Sequence, residues 1–309
     1  MARDPRFQPP GYLMEVTCRT VQGRYLLRPG ERLNAIVLGV LGRAQRLFGL
    51  RIHGFVFLSN HYHLLVSPTS VQQLAQFMGY LNGNLAKEVG RLARWKDKVW
   101  ARRYQAIPVS HEEAAQIGRL RYLLAHGCKE RLVPSPTDWP GAHCVDTLLE
   151  GATAQGTWID RSAEYEARRR GKKVDTQAFC TLENVVLEPL PCWVDLPEEV
   201  RRCRVRELVQ EIKLDGQLAA GPGLDADRAR RRILLQHPHS RPKTPPPRRP
   251  TPKVHAASAT ARQAFWQALR AFVRAYREAA SRLREGDRLA CFPEGCFPPA
   301  LPFVPAPSG

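Results

Sequence analysis

The strongest constraint on this chain is the order in which its apolar residues change period between Leu13 and His126. Alternation marks a half-buried strand, and recurrence every three or four residues marks a helix. Leu13 to Thr20 alternates as a strand and is followed by a turn at Gln22 and Gly23. Leu33, Ile36, Val37, Val40, Ala44, Leu47 and Phe48 recur at helical spacing, with Gly49 placed just past the helix end. Leu50 to Leu58 is a strand rich in Ile, Phe and Val; Ser59 and Asn60 break it, and His61 to Val66 is the next. Ser70 and Gln73 form a capping-box pattern ahead of a helix that buries Leu74, Phe77, Met78, Leu81 and Leu85. Trp100 to Val109 reads as a fourth strand after a polar loop at Lys96 to Lys98. Ser110 and Glu113 form a second capping box, opening a helix that runs to about His126 and stops at Gly127. The order β-α-β-β-α-β-α predicts an α+β fold: a ferredoxin-like antiparallel sheet with helices on one face and one helix beyond it. Its other face is then free for chemistry.

Charge narrows the class of partner. A formal net charge of +18 and a pI of about 10.1 create a field that draws polyanions, of which nucleic acid is the commonest. The eight cysteines contain no C-x-x-C pair, which argues against a structural zinc site. The first ten residues lack the apolar run of a signal peptide, and no stretch is apolar for long enough to span a bilayer. The expectation is a cytoplasmic, nucleoid-associated protein with reduced thiols and no membrane partner.

Two short patterns carry candidate chemistry. His61 and His63 stand two apart on a strand, so both imidazoles point to one face and can reach one ion, while Tyr62, Leu64 and Val66 point to the helices. The same spacing fits two surface histidines on a half-exposed strand. Tyr122 and His126 stand four apart on a helix whose apolar stripe is Ile117, Leu120 and Leu124. They share a face with Ala115, Gly118 and Arg119, away from that stripe, and could form one wall of a cleft. A surface tyrosine packed over the helix turn has the same pattern. Tyr104, in a strand without a histidine partner at helical spacing, reads as structural, and His53 as a core or supporting residue. Glu15 fits either a carboxylate near the sheet face or a solvated strand residue, the second being preferred, and His111, His237, His239 and His255 read as exposed.

These motifs together resemble a known family. Phe55 to Leu65 (FVFLSNHYHLL) resembles the His-hydrophobic-His motif of single-tyrosine HUH transposases, closest to their REP-associated tyrosine transposase branch. Leu120 to His126 (LRYLLAH) resembles the family's tyrosine helix, Val16 to Arg19 its first strand, Trp100 to Tyr104 the strand before the tyrosine helix, and Asp138 to Pro140 the segment after it. The resemblance covers residues about 8 to 150. It implies that His61 and His63 bind a divalent metal ion, Mg²⁺ or Mn²⁺, that His126 supplies the third ligand, and that Tyr122 is the nucleophile. The REP-associated relatives usually carry Asn then Pro where this chain has His126 and Gly127, and many carry His in place of Glu15. Three imidazoles favour Mn²⁺, or even Zn²⁺, more than a site with an amide oxygen does. The implied activity is that of a single-stranded DNA endonuclease and strand transferase that cuts beside hairpins through a covalent 5′-phosphotyrosine. Arg102, Arg103, Arg119 and Lys129 are the candidate DNA contacts. Two other readings compete: a domesticated nucleic-acid-binding protein without catalysis, and a metal-dependent phosphodiesterase that uses water.

Beyond the first unit (residues 1–150), residues 151–236 read as a basic, mostly helical extension and 237–257 as a Pro/Arg-rich linker that cannot bury a core. Residues 258–309 hold a basic amphipathic helix and a Pro-rich tail from Phe292. In that helix Phe265, Leu269, Phe272, Tyr276, Ala280 and Leu283 lie opposite Arg270, Arg274, Arg277 and Arg284. Its apolar face can dock on the catalytic unit, pair with a second copy in a homodimer, or help grip a DNA stem.

Overall fold

A computed structural model describes residues 5–171, 173–220, 225–244 and 250–297. The rest of the Pro-rich tail and residues 245–249 of the linker lie outside the described residues. The secondary structure runs β1 (Leu13–Arg19), α1 (Glu31–Phe48), β2 (Arg51–Leu58), β3 (His61–Ser67), α2 (Val71–Ala93), β4 (Gln105–Val109), α3 (Glu113–Leu124) and α4 (His126–Lys129). It continues with α5 (Val145–Glu150), β5 (Ala154–Ile159), α6 (Arg161–Arg169), β6 (Cys180–Val185), α7 (Glu198–Ala220), α8 (Ala226–Leu234) and α9 (Ala259–Arg284).

The first four strands form one antiparallel sheet in the order β2-β3-β1-β4, the ferredoxin-like split arrangement. β1 and β3 pair in a register that sets Thr17 opposite His63 and Arg19 opposite His61. The face carrying Met14, Val16, Cys18, Tyr62, Leu64 and Val66 meets α1 and α2, and these residues are almost wholly buried. Tyr62 stacks on Phe57, and its hydroxyl donates to Asn82 Oδ1 on α2 at 2.7 Å. Ser70 Oγ caps α2 by accepting from Gln73 N at 3.1 Å, and the Gln73 side chain reaches back to Thr69 rather than to Ser70. Gly49 ends α1 in left-handed backbone with φ 61°, which costs glycine no Cβ clash.

Several expectations need correction. The fourth strand begins at Gln105; Trp100 makes only an isolated bridge to Thr20, and 101–103 form a bend. The second capping box does not form. Ser110 Oγ donates instead to Glu112, whose carboxylate accepts the backbone N–H groups of Ala257 and Ser258. The tyrosine helix ends at Leu124, and His126 opens the short α4. The stripe of α3 is Leu120, Leu123 and Leu124, with Ile117 only partly buried; Leu47 of α1 is exposed. The sheet's second face is not open, because Leu120 and Leu123 of α3 press down beside Gly54 of β2.

The region after residue 150 contains a β-hairpin that the sequence pattern did not reveal. β5 and β6 pair antiparallel and lie across the outer side of α1. The contact is backbone to backbone: a Cβ on Gly39 would fall 2.1 Å from the Thr157 carbonyl carbon, and one on Gly156 would fall 2.2 Å from Ala35 O. Arg43 and Arg46 of α1 bind the buried Glu183 of β6. The linker makes contacts at both of its described ends, although most of its described residues are exposed. His239 Nε2 lies 2.7 Å from the Ala93 carbonyl oxygen, and His255 N donates to Pro108 O while Ser110 N donates to His255 O, extending the edge at β4. His239 and His255 are therefore partly buried, whereas His111 and His237 are exposed. All eight cysteines are free, and among the described residues no helix is long and apolar enough to cross a membrane.

Candidate active site

The pleat of β3 brings His61 and His63 to the face under α3, and the turn of α3 into α4 lowers His126 onto them. The three histidines present ligand nitrogens within 4.8 Å of one another, with His61 Nε2 and His126 Nε2 2.9 Å apart. His61 Nδ1 lies 2.6 Å from Asn60 Oδ1, and His63 Nδ1 lies 2.9 Å from Glu15 Oε1. Donation from each Nδ1–H fixes the tautomer that leaves Nε2 bare, the orienting contact that metal-bound histidines use. His126 Nδ1 is buried without a hydrogen-bond partner among the described residues. Burial, with His63 and His126 nearby, holds the His61 imidazole well below its ordinary range; burial and His63 push His126 down to about 2. Neutral rings with converging lone pairs suit a divalent cation, so the donor set fits one.

Tyr122 stands beside this cluster, its ring centroid 5.2 Å from that of His126 and 5.6 Å from that of His63. Two cations flank the phenol ring. The Arg119 guanidinium lies 4.0 Å from the ring centroid and Lys129 Nζ 4.7 Å from it. Arg119, Tyr122, His126 and Lys129 follow one another at intervals of three and four residues, which sets all four side chains along one face. Burial and the Glu15 carboxylate raise the Tyr122 phenol above its ordinary range, and Arg119 opposes them. At neutral pH the phenol is protonated.

Glu15 is the residue whose role the sequence reading missed. It is only 4% exposed, not solvated. One oxygen meets His63; the other lies 2.7 Å from His255 Nε2 and 3.4 Å from Arg119 Nε. Burial alone would raise this carboxyl, but the bonds to His255 and His63 and the charges around it hold it well below the usual carboxylate range. His255 Nδ1 in turn lies 3.2 Å from Arg119 Nη1. Glu15 thus ties together the sheet, the tyrosine helix and the linker. Arg119 Nε faces Glu15, while its Nη2 is buried without a hydrogen-bond partner among the described residues. Nη2 is a cationic donor beside Tyr122 with hydrogen bonds still to make.

Arg102 and Arg103 lie apart from this cluster. Both are exposed on the bend before β4, next to Arg19, whose carbonyl accepts from Ala101 N and which pairs with His61. Tyr104 is buried under Arg6 and Arg103. His53 is buried in the core, bonded to Ser67 Oγ and to the carbonyl oxygens of Glu188 and Pro189.

Residues 26–122 match the family model described as transposase IS200-like. The resemblance read from the motifs is upheld over that segment. No curated protein matches. Two of the similar solved structures are transposases by description. One is described as a REP-associated tyrosine transposase bound to a REP hairpin, at 16% identity and TM-score 0.35, covering 46% of this chain and 81% of that one. The other is a putative transposase from Deinococcus radiodurans R1, at 19% identity and TM-score 0.28, covering 37% of this chain and 93% of that one.

Proposed function

We propose that this chain cuts and rejoins single-stranded DNA beside a hairpin, with Tyr122 as the nucleophile. The observation that supports this reading is the convergence of a phenol, three imidazole nitrogens and an underbonded guanidinium at one point. A phosphodiester presented there has a nucleophile on one side and donors for its oxygens around it. Arg119 Nη2 donates to the phosphate oxygens, which satisfies its buried N–H groups and holds the phosphorus near Tyr122. His61, His63 and His126 would hold the divalent cation. When bound, that ion offsets charge growing on the phosphate and lowers the cost of forming a phenolate.

The phenol loses its proton, and its oxygen bonds to phosphorus as the bond from phosphorus to the 3′-oxygen breaks. The 3′-oxygen takes a proton and leaves as a hydroxyl, while the 5′-phosphate stays on Tyr122. One phosphodiester replaces another, so a second 3′-hydroxyl reverses the step and joins strands. A protein–DNA adduct distinguishes this route from hydrolysis by water.

Mixing the protein with labelled single-stranded hairpin oligonucleotides from its own flanking DNA, in Mn²⁺ or Mg²⁺, tests the reading on a denaturing protein gel. Label migrating with the protein, lost in Tyr122→Phe, is the expected result, and three imidazoles predict more adduct in Mn²⁺ than in Mg²⁺. Tight binding with no adduct would favour a binding protein without chemistry; cutting with no adduct would favour a water-using nuclease.

A further inference from the structure

The C-terminal helix has a face that the proposed chemistry does not use. α9 is fastened through Phe265 and Phe272, whose rings pack on Phe7 at 5.8 and 4.5 Å between centroids. Between α9, the edge strand β4 and the segment around Thr251 to Lys253 lies a groove of about 790 Å³. Its helical wall carries Trp266, Arg270, Arg274 and Arg277, spaced four, four and three residues apart and so aligned in one stripe. At 1.5 Å per residue the stripe spans roughly 16 Å, room for several nucleotides of an extended strand.

Three observations point to what fills this groove. Among the described residues no Asp or Glu lines it, while Arg270, Arg274 and Arg277 do. Arg270, Arg274 and Arg277 are all exposed, and no carboxylate among the described residues forms an ion pair with any of them. That contrasts with the next turn of α9, where Arg282 binds Asp287. Trp266, 39% exposed, presents a flat aromatic surface at one end of the stripe. A basic track with an aromatic platform is the combination that holds single-stranded nucleic acid, through backbone charge and base stacking. The groove also adjoins the tyrosine site: Pro252 lines both it and the cavity formed by Arg119, Tyr122, Lys129 and Arg262.

We infer that the α9 groove is a second single-stranded DNA site, which holds the strand leading to or from the phosphate at Tyr122. The inference rests on the reading of Tyr122 given above only for which strand enters; the groove's affinity for single strands stands on its own charges. Arg270, Arg274 and Arg277 neutralise backbone phosphates, and Trp266 stacks on a base. None of the four lies within residues 26–122, so the site is an addition of this chain to the segment that matches the transposase model.

The test measures binding alone, by fluorescence anisotropy of labelled oligothymidylate, with the Tyr122→Phe chain, in EDTA, across a range of salt concentrations. Replacing Arg270, Arg274 and Arg277 together by Ala should weaken binding at least about tenfold and flatten the salt slope by about two, the loss expected for three phosphate contacts to a single strand. The same three positions changed to Lys should keep the slope. Trp266→Ala should weaken binding about fivefold or more without changing the slope. Wild-type affinity and slope in the triple Ala variant would overturn the proposal. So would a loss confined to a duplex hairpin stem with oligothymidylate binding intact. The two proposals fail separately. A protein that shows the slope change but never forms the Tyr122 adduct keeps the groove and loses the nuclease reading; one that forms the adduct with no slope change loses only the groove.

Discussion

Glu15 illustrates how much one buried carboxylate can position. Three partners from three parts of the chain meet its two oxygens: His63 on β3, Arg119 on α3 and His255 on the linker. A buried charge with that many partners orients them all, and removing it leaves a guanidinium and two imidazoles without their anchor. Glu15→Gln keeps the size and removes the charge. We expect Tyr122 adduct formation to fall roughly 10- to 100-fold, the usual cost of losing the group behind a metal-binding histidine. The adduct rate, with circular dichroism as a control for folding, checks it, and a wild-type rate would deny Glu15 its positioning role. The sequence exposed His61 with His63, and Tyr122 with His126, because the period of a single strand or helix puts each pair on one face. Glu15 was hidden because a lone carboxylate in an alternating strand has the same pattern whether it is solvated or buried. One usable signal was its place two residues before Thr17, on the face that β1 shares with His63 once the strands pair, and another was that many relatives carry His at that position. His255 gave no signal at all, since its contacts depend on how a distant linker folds back.

At the scale of elements, the legible part is the part with clean periodicity. The order of strands and helices through α3 could be read because each amphipathic segment buries one face. The β5–β6 hairpin could not, because its contact with α1 is made by the absence of side chains rather than by apolar ones. Gly39, Gly42 and Gly156 let two backbones touch, and a glycine in a helix reads in sequence only as a weak helix former. This gives a prediction opposite in sign to helix propensity. Ala is the better helix former by about 1 kcal/mol. Even so, Gly39→Ala puts a methyl 2.1 Å from the Thr157 backbone, which cannot yield as a flexible side chain would. Overpacking of this kind typically costs about 1–3 kcal/mol. We expect a net loss of stability in urea unfolding. Gly79→Ala on α2, where a methyl meets nothing within 4 Å, should be neutral or stabilising. Equal behaviour of the two variants would mean that the hairpin does not press on α1.

The whole molecule is a strongly basic chain closed on itself at several seams, and acid should open it in a recognisable way. Burial holds His53 neutral and pushes its pKa down to about 4, and it does the same to His143. His53 is a seam residue: its Nδ1 faces the carbonyl oxygens of Glu188 and Pro189 and its Nε2 faces Ser67 Oγ, joining β2 to the chain beyond the hairpin. An unfolded histidine titrates near 6.5. Between that value and about 4 the unfolded chain binds protons that the folded chain refuses, so the folded state is fully favoured above pH ~6.5 and loses ground as pH falls toward 4. For His53 the loss approaches about 3 kcal/mol at most. Self-repulsion from a net charge of +18 works in the same direction as carboxylates begin to protonate. Salt separates the two causes, because it screens the repulsion between surface charges and barely touches a buried imidazole. Urea unfolding from pH 7 to 4.5 at low and high salt should therefore show a decline that salt reduces but does not abolish, and His53→Gln should remove His53's share of the part that remains, leaving that of the other buried histidines, His143 among them. A decline erased by salt would leave repulsion as its whole cause and would mean that His53 takes up its proton inside the fold.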